Sequence, residues 1–204
     1  MIVVDLQTTG WNQRTDRIVS IGAVDFPDKS RTFYEECRLP PGTKITSEAM
    51  HTFRFDTRSL FEPGRPSVKV AVTRFVRWSE SSHERTLAGQ NSWFDAAFLG
   101  EAARRYGIPW TFGYRQVDLH SVCYARLLQS GEAVPVEKRL DALGLGAVLR
   151  CVGIRYGAGR HSALENAKLE AEAFSRLILG RALFDEYRTF EVPRSLVPSV
   201  ESPG

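Results

Sequence analysis

Three carboxylates and amides in this chain stand where water should be scarce. Asp5 ends the apolar run Ile2, Val3, Val4, and Gln7 follows two positions later on the same face of the expected strand. Asp95 is followed by Phe98 and Ala102 at i+3 and i+7, so on a helix it shares the core-facing side. A buried carboxylate is costly unless a cation, backbone donors or a metal ion compensates it. For Asp5 and Asp95 all three remedies stay open. Near the last apolar-periodic run, the glycine-rich basic loop of residues 157–160 leads into His161-Ser162-Ala163-Leu164-Glu165-Asn166. A histidine after a flexible basic loop is a candidate mobile acid or base, and a capping or surface residue on the plainer reading.

The elements that must hold these groups follow from the hydrophobic period. Ile2 to Val4 reads as a short buried strand, residues 17–26 as a second β-branched strand, and Asp28-Lys29-Ser30 as a tight turn into a third strand over 31–39, an antiparallel meander. The period then changes. Val68, Val72, Phe75 and Val76 lie on one face of a helix opened by Pro66-Ser67. A short strand is expected over 86–89, a helix over 94–106 closed by Gly107 and Pro109, and a strand over 116–118. Helices are expected over 120–129, 140–152 and 162–179, the last with Ala163, Ala167, Ala171, Phe174 and Ile178 facing inward. Strands in a meander followed by alternating helices and strands imply a mixed sheet with helices on its faces, an α/β fold.

At 204 residues the chain has room for one domain with a C-terminal extension. Its composition, 43% hydrophobic and 25% charged, excludes a disordered, fibrous or coiled-coil chain. No run approaches a membrane span, and Asp5 interrupts the apolar start too early for a signal peptide, so a cytoplasmic location is expected. Cys37, Cys123 and Cys151 form no CxxC pair, fit a reducing compartment and read as buried fillers. The net charge is only 27 − 24 = +3, but it is uneven: residues 103–160 hold nine basic residues against four acidic ones. Those basic residues form either a path for a phosphate backbone or solvated helix faces. Residues 192–204, with three prolines and three serines, are expected to form a frayed tail.

Taken together, the motifs resemble those of the DEDDh (DnaQ-like) 3′-to-5′ exonucleases, the group that includes the proofreading subunit of bacterial replicative polymerase. Asp5-Leu6-Gln7-Thr8-Thr9-Gly10 is similar to the family's Asp-x-Glu-Thr-Thr-Gly. Residues 91–99 carry its Asn-x-x-Phe-Asp-x-x-Phe-Leu, and residues 161–166 resemble its His-x-Ala-x-x-Asp. The resemblance covers about residues 1–180 and implies an RNase H-like fold: a five-stranded sheet, an antiparallel meander of three strands followed by two parallel strands, flanked by helices. Residues 1–180 would be the exonuclease domain and 181–204 a C-terminal extension.

The resemblance also implies a chemistry. Two Mg²⁺ or Mn²⁺ ions about 3.5–4 Å apart clamp the scissile phosphate, four carboxylates hold them, and a histidine accepts the proton of the attacking water, releasing nucleoside monophosphates. By position, Asp5, Gln7, Asp95 and Asn166 would be the ligand positions and His161 the base. Thr8, Thr9, Gly10, Met50, His51, Asn91, Phe94 and Arg160 would contact the strand, with Met50 and His51 resembling the wedge beside the terminal base.

Three positions depart from the pattern: Gln7 for Glu, Asn166 for Asp, and Gln90 where a histidine is common. An amide keeps the shape of the acid but offers one neutral oxygen and an NH2 group that cannot face a cation. The chain is therefore expected to be inactive or strongly impaired and to hold one ion or none. Disarming by substitution, natural loss of catalysis, and transfer of the ligand role to Glu165 or Glu170 all remain open. So do two functions: a nuclease acting on single-stranded 3′ ends of DNA or RNA, and a non-catalytic 3′-end binding module within a replication, repair or adaptation complex. Homodimerisation and attachment to a polymerase are both modes the resemblance allows, and no membrane partner is expected.

Overall fold

The computed structural model describes residues 1–53, 56–155, 157 and 161–197. Its central sheet has the order β3-β2-β1-β4-β5. Strands β1 (Ile2–Thr8), β2 (Ile18–Asp25) and β3 (Asp28–Glu36) form the antiparallel meander. Strands β4 (Leu87–Gly89) and β5 (Gln116–Asp118) add to β1 in parallel. This is the mixed five-stranded sheet expected from the sequence.

Alternation along β1 divides the core. Ile2, Val4 and Leu6 pack toward α2 (Val68–Ser79) and α3 (Ser92–Tyr106), with Val72, Phe75, Phe98 and Leu99. Val3 points to the opposite face, where α4 (Leu119–Ser130), α5 (Leu145–Cys151) and α6 (Ala163–Leu179) pack. Asp5 and Gln7 share the parity of Val3, so both are directed to the α6 side. Helix α2 begins where Ser67 accepts a hydrogen bond from the Val70 N–H. Helix α6 opens with a capping box between Ser162 and Glu165.

One glycine decides how closely α6 approaches. Gly22 pairs with Asp5 across the β1–β2 ladder, and a Cβ there would run into the backbone of Ala163 and Leu164. Only glycine lets the first turn of α6 rest on the sheet beside Asp5. That contact brings two motifs about 160 residues apart into one site.

Several local expectations change. The β2–β3 turn sits at Phe26-Pro27, so β3 begins at Asp28; Pro27 has no N–H for the ladder and occupies the turn. The helix expected over 140–152 is a hairpin, β6 (Val136–Glu137) and β7 (Leu140–Asp141), followed by α5 from Leu145. Lys138 and Arg139 at φ 50° and 68° make its two-residue turn, and Leu140 is 72% exposed. Ile178, expected inside, is 49% exposed. The frayed-tail expectation does not hold for residues 192–197, where Leu196 is buried and Arg126 donates to the Ser195 and Leu196 carbonyls. Cys37 and Cys123 are buried as expected, whereas Cys151 is partly exposed. Among the described residues no helix is long and apolar enough to cross a membrane.

The fixing of residues 181–191 is a feature that helical periodicity did not reveal. Glu172 and Arg176 lie one turn apart on α6, both fully buried and paired at 2.7 Å. Arg176 also donates to the carbonyls of Val152, Tyr187 and Glu191, while Glu172 accepts from the Leu183 and Phe184 N–H groups. Every charge in this pair is answered, which is the condition under which a buried ion pair holds.

Candidate active site

The C-terminal end of β1, the start of α3 and the first turns of α6 converge on a cleft of about 580 Å³. Asp5, Asp95, Asn166 and Glu170 line it, together with Trp11, Phe53, Gln90, Asn91, Trp93, Phe94 and Leu145. The volume falls in the range of small-molecule sites.

Asp95 lies at the first turn of α3 and accepts the Leu6 N–H at 2.9 Å, which ties α3 to β1. Burial raises its carboxyl well above the ordinary range, and the neighbouring Asp5 raises it further. Asp5 is itself pushed up to about 8 by burial, against a lowering contribution from Asn166. Glu170 is raised well above its usual range by burial, then by Asp5 and Asp95. Its Oε2 accepts the Gln90 N–H at 3.2 Å. Three carboxylates thus sit close enough to oppose one another's ionisation.

The two amides are held by neutral hydrogen bonds. Asn166 donates from Nδ2 to Asp5 Oδ2 at 3.4 Å. Gln7 uses both ends of its amide, donating from Nε2 to the His161 carbonyl at 2.8 Å and accepting from Ser20 Oγ at 3.0 Å. A carboxylate at position 7 would set a second acceptor against the His161 carbonyl. Gln90, at the position of the common histidine, donates to the Leu143 carbonyl at 2.8 Å, while its buried Oε1 has no partner among the described residues.

The residues present do not fit the pair of divalent ions that the motif resemblance implies. Gln7 is committed to backbone and Ser20, and an NH2 group of Asn166 occupies the face of Asp5 that a cation would need. Glu170 adds a third carboxylate to the cleft, yet the described residues contain no group of three Asp, Glu, His or Cys side chains able to hold one ion. Glu165 is engaged with the Ser162 N–H in the capping box at 2.6 Å. Glu170, unlike Glu165, lines the cleft beside Asp5 and Asp95.

The other expected site residues divide. Asn91 and Phe94 line the cleft; Asn91, at φ 57°, donates its N–H to Asp118 Oδ1 and turns the chain into α3. Thr8 and Thr9 are fully buried, bonded to the Gly10 carbonyl and the Arg17 N–H, and serve the turn after β1. Gly10 is packed where a Cβ would run into Asp16. Met50 and His51 lie on α1 (Ser47–Phe53), where Met50 packs against Leu39 and Leu60 and His51 is exposed. From this helix it is Thr52 and Phe53 that reach the cleft.

His161 stands just before α6, with Nε2 3.1 Å from the Gly157 carbonyl, outside the cleft lining. Arg160 lies outside the described residues. Of the basic excess, Arg104 and Arg105 pair with Glu101, and Arg126 is bonded to backbone carbonyls, so these three are not free phosphate ligands.

Sequence reasoning missed Trp11 and Trp93. They are 53% and 66% exposed, unusual for so large an apolar ring, and they flank Phe94 at centroid distances of 5.5 and 6.0 Å. The signal was available: a tryptophan directly follows Gly10, and another lies inside the Asn91–Asp95 motif.

The chain resembles known proteins over nearly its whole length. It is 24% identical over 178 residues to the PolC-type DNA polymerase III of Thermotoga petrophila, covering 87% of this chain and 12% of that protein. It is 25% identical over 186 residues to the chloroplastic/mitochondrial exonuclease DPD1 of Arabidopsis thaliana, covering 88% of this chain and 56% of that one. The chain thus spans about an eighth of the first relative's length and just over half of the second's. The nuclease domain of 3′hExo, a DEDDh family member solved with rAMP bound, superposes with a TM-score of 0.66 at 14% identity, covering 95% of each chain, which establishes a shared fold. The family model described as the 3′-5′ exoribonuclease Rv2179c-like domain matches residues 1–178. With the sheet order and that match in hand, the chain belongs to the Rv2179c-like 3′-5′ exoribonuclease domain family, and it shares the fold of a DEDDh nuclease domain.

Proposed function

We propose that this chain binds the 3′ end of single-stranded RNA in the cleft between β1, α3 and α6 and releases nucleoside monophosphates slowly or not at all. The observation that carries the reading is the Asn166–Asp5 hydrogen bond within an otherwise open cleft. The position where the family's chemistry needs anionic oxygen around a cation is occupied by an amide donor, while the walls suited to a nucleotide persist.

Trp11, Phe53, Trp93 and Phe94 supply flat faces for unpaired bases, which stack without regard to sequence. Burial pushes Asp5 up to about 8 and raises Asp95 and Glu170 well above their ordinary range, which lessens the negative charge the three present to a phosphate. RNA is chosen on the family's description and on the rAMP bound to the 3′hExo domain. DNA is the comparison arm.

The test is fluorescence anisotropy of 5′-labelled single strands, RNA and DNA, with free or phosphate-blocked 3′ ends, in EDTA and in Mn²⁺, with mononucleotide release followed in parallel. Tight binding of free-ended RNA in EDTA without release in Mn²⁺ supports the reading. Equal affinity for blocked and free ends would remove the 3′-end specificity. Mn²⁺-dependent release at ordinary enzymatic rates would establish the alternative, a working metal-dependent hydrolase.

A further inference from the structure

The cleft has no cation of its own. Among the described residues that line it the ionisable groups are Asp5, Asp95 and Glu170, and none is Lys, Arg or His. Attraction for a polyanion must therefore come from the rim. Arg104, Arg105 and Arg126 are spent on Glu101 and on backbone carbonyls. Lys138 and Arg139, at the tip of the β6–β7 hairpin, are exposed, and neither forms an ion pair among the described residues.

The tip is built at a cost. A two-residue turn with both residues at positive φ favours Asn-Gly, because glycine meets no steric penalty there. Lys138 at φ 50° and Arg139 at φ 68° both meet that penalty. A two-stranded ribbon is marginal in water by itself, so its base must hold it. Val136 pairs with Asp141, the Ala142 N–H donates to the Pro135 carbonyl at 2.8 Å, and His120 on α4 places Nε2 2.7 Å from Asp141 Oδ1.

The same base joins the cleft. Leu143 is buried, its carbonyl accepts from Gln90, and Gly144 and Leu145 line the cleft directly after it. Arg139 is four residues from Leu143, so at about 3.3–3.6 Å per extended residue the tip lies within about 14 Å of it.

We propose that the β6–β7 hairpin is an arm for the upstream part of the bound RNA strand, with Lys138 and Arg139 holding phosphates just outside the cleft. The proposal rests on the reading that the cleft takes a single-stranded 3′ end, and it names where the rest of that strand runs. Lys138 offers a point charge and Arg139 a planar fork that can hold two phosphate oxygens at once. Val136 and Leu140, 68% and 72% exposed, place apolar surface beside the two cations. Charge next to apolar surface matches a single strand, which presents phosphates and unpaired bases together.

The experiment measures binding of the full chain in EDTA to a labelled single-stranded RNA dodecamer with a free 3′ end, and to an RNA dinucleotide by competition, across a salt series. Lys138→Asn with Arg139→Gly removes both charges while installing the turn sequence that such hairpins favour, so loss of charge is separated from loss of the hairpin. Dodecamer affinity should fall on the order of tenfold, and the slope of log K against log salt should become shallower by about 1.4, about 0.7 for each phosphate released. Dinucleotide affinity should stay unchanged, since one phosphodiester is held by the cleft alone. Lys138→Glu with Arg139→Glu should deepen the dodecamer loss, and Arg104→Ala should cause none.

Wild-type dodecamer affinity and salt slope in the Asn-Gly variant would overturn the proposal and leave the cleft reading standing. An equal loss on the dinucleotide would overturn it too, because the hairpin would then act through the shape of the cleft. A wild-type chain that binds neither RNA would remove the cleft reading and the proposal with it. A wild-type dimer that Leu140→Asp dissociates, with RNA affinity unchanged in the charge variants, would give the hairpin to a second copy instead.

Discussion

Asn166 Nδ2 donates to Asp5 Oδ2 at 3.4 Å, so the residue at the last metal-ligand position of the motif is bonded to the residue at the first. The pair closes on itself in a way that two carboxylates cannot without a cation or a proton between them. Together with the doubly bonded Gln7, this makes the site self-sufficient without metal.

The first prediction is a gain of activity. Gln7→Glu with Asn166→Asp should give 3′-to-5′ release of nucleoside monophosphates in Mn²⁺, and either change alone should give far less, because ligands of one ion act as a unit. Without metal the double variant should be less stable, since a carboxylate at position 7 opposes the His161 carbonyl; an unanswered buried polar group costs about 1–3 kcal/mol. Adding Mn²⁺ should restore the loss. His161→Ala in that background should remove most of the new rate while leaving the Mn²⁺-dependent stability gain. Urea denaturation with and without Mn²⁺, beside a mononucleotide assay, reads all four outcomes. A silent double variant that still binds RNA would place a further defect at Gln90.

Stability should fall as pH rises from about 4 to 8. The folded chain keeps protons on Asp5, Asp95 and Glu170 where the unfolded chain has lost them, because burial raises all three. Their stabilising contribution is full below the unfolded carboxylate range near 4 and is lost as pH climbs through the folded values, which for Asp5 is about 8. Each differentially bound proton is worth about 1.4 kcal/mol per pH unit at most. Asp5→Asn should flatten the profile relative to the wild type in chemical denaturation at pH 5 and pH 8. A wild-type profile no steeper than that of the variant would show that Asp5 titrates normally.

Trp11→Ala and Trp93→Ala should each weaken single-strand binding by about 1–3 kcal/mol, the worth of one base stacked on an aromatic ring. Both side chains are already half or more exposed, so folding should be little affected. Anisotropy titrations at fixed salt, with thermal unfolding as the control, separate lost contact from lost structure. Unchanged affinity in both variants would move the strand away from this wall.

Arg176→Ala should cost about 3–5 kcal/mol, because it leaves Glu172 buried without its cation and frees three carbonyls. Arg104→Ala, which removes an exposed pair with Glu101, should cost no more than about 1 kcal/mol. Urea midpoints for the two variants test the contrast, and early loss of protection over residues 181–191 should accompany only the first.

Much of the architecture was legible because it is local. Alternation along Ile2–Leu6, the i, i+4, i+7 pattern of Val68, Val72 and Phe75, and the Asn91–Leu99 motif each lie within one strand or one helix, and each element forms where its pattern put it. The chemistry of the amides was legible for the same reason, since a side chain's donor and acceptor inventory does not depend on its surroundings. What the sequence left open lies between elements. Whether Glu170 could replace Asn166 depended on the rotation of α6 against β1, which the contact at Gly22 sets. Residues 140–144 were read as helix because their apolar spacing is ambiguous over so short a run, and the pairing of Val136 with Asp141 decided otherwise. The buried Glu172–Arg176 bond and the aromatic wall join residues through space. Side chains brought together by packing leave no period in the chain, and only the folded structure reveals them.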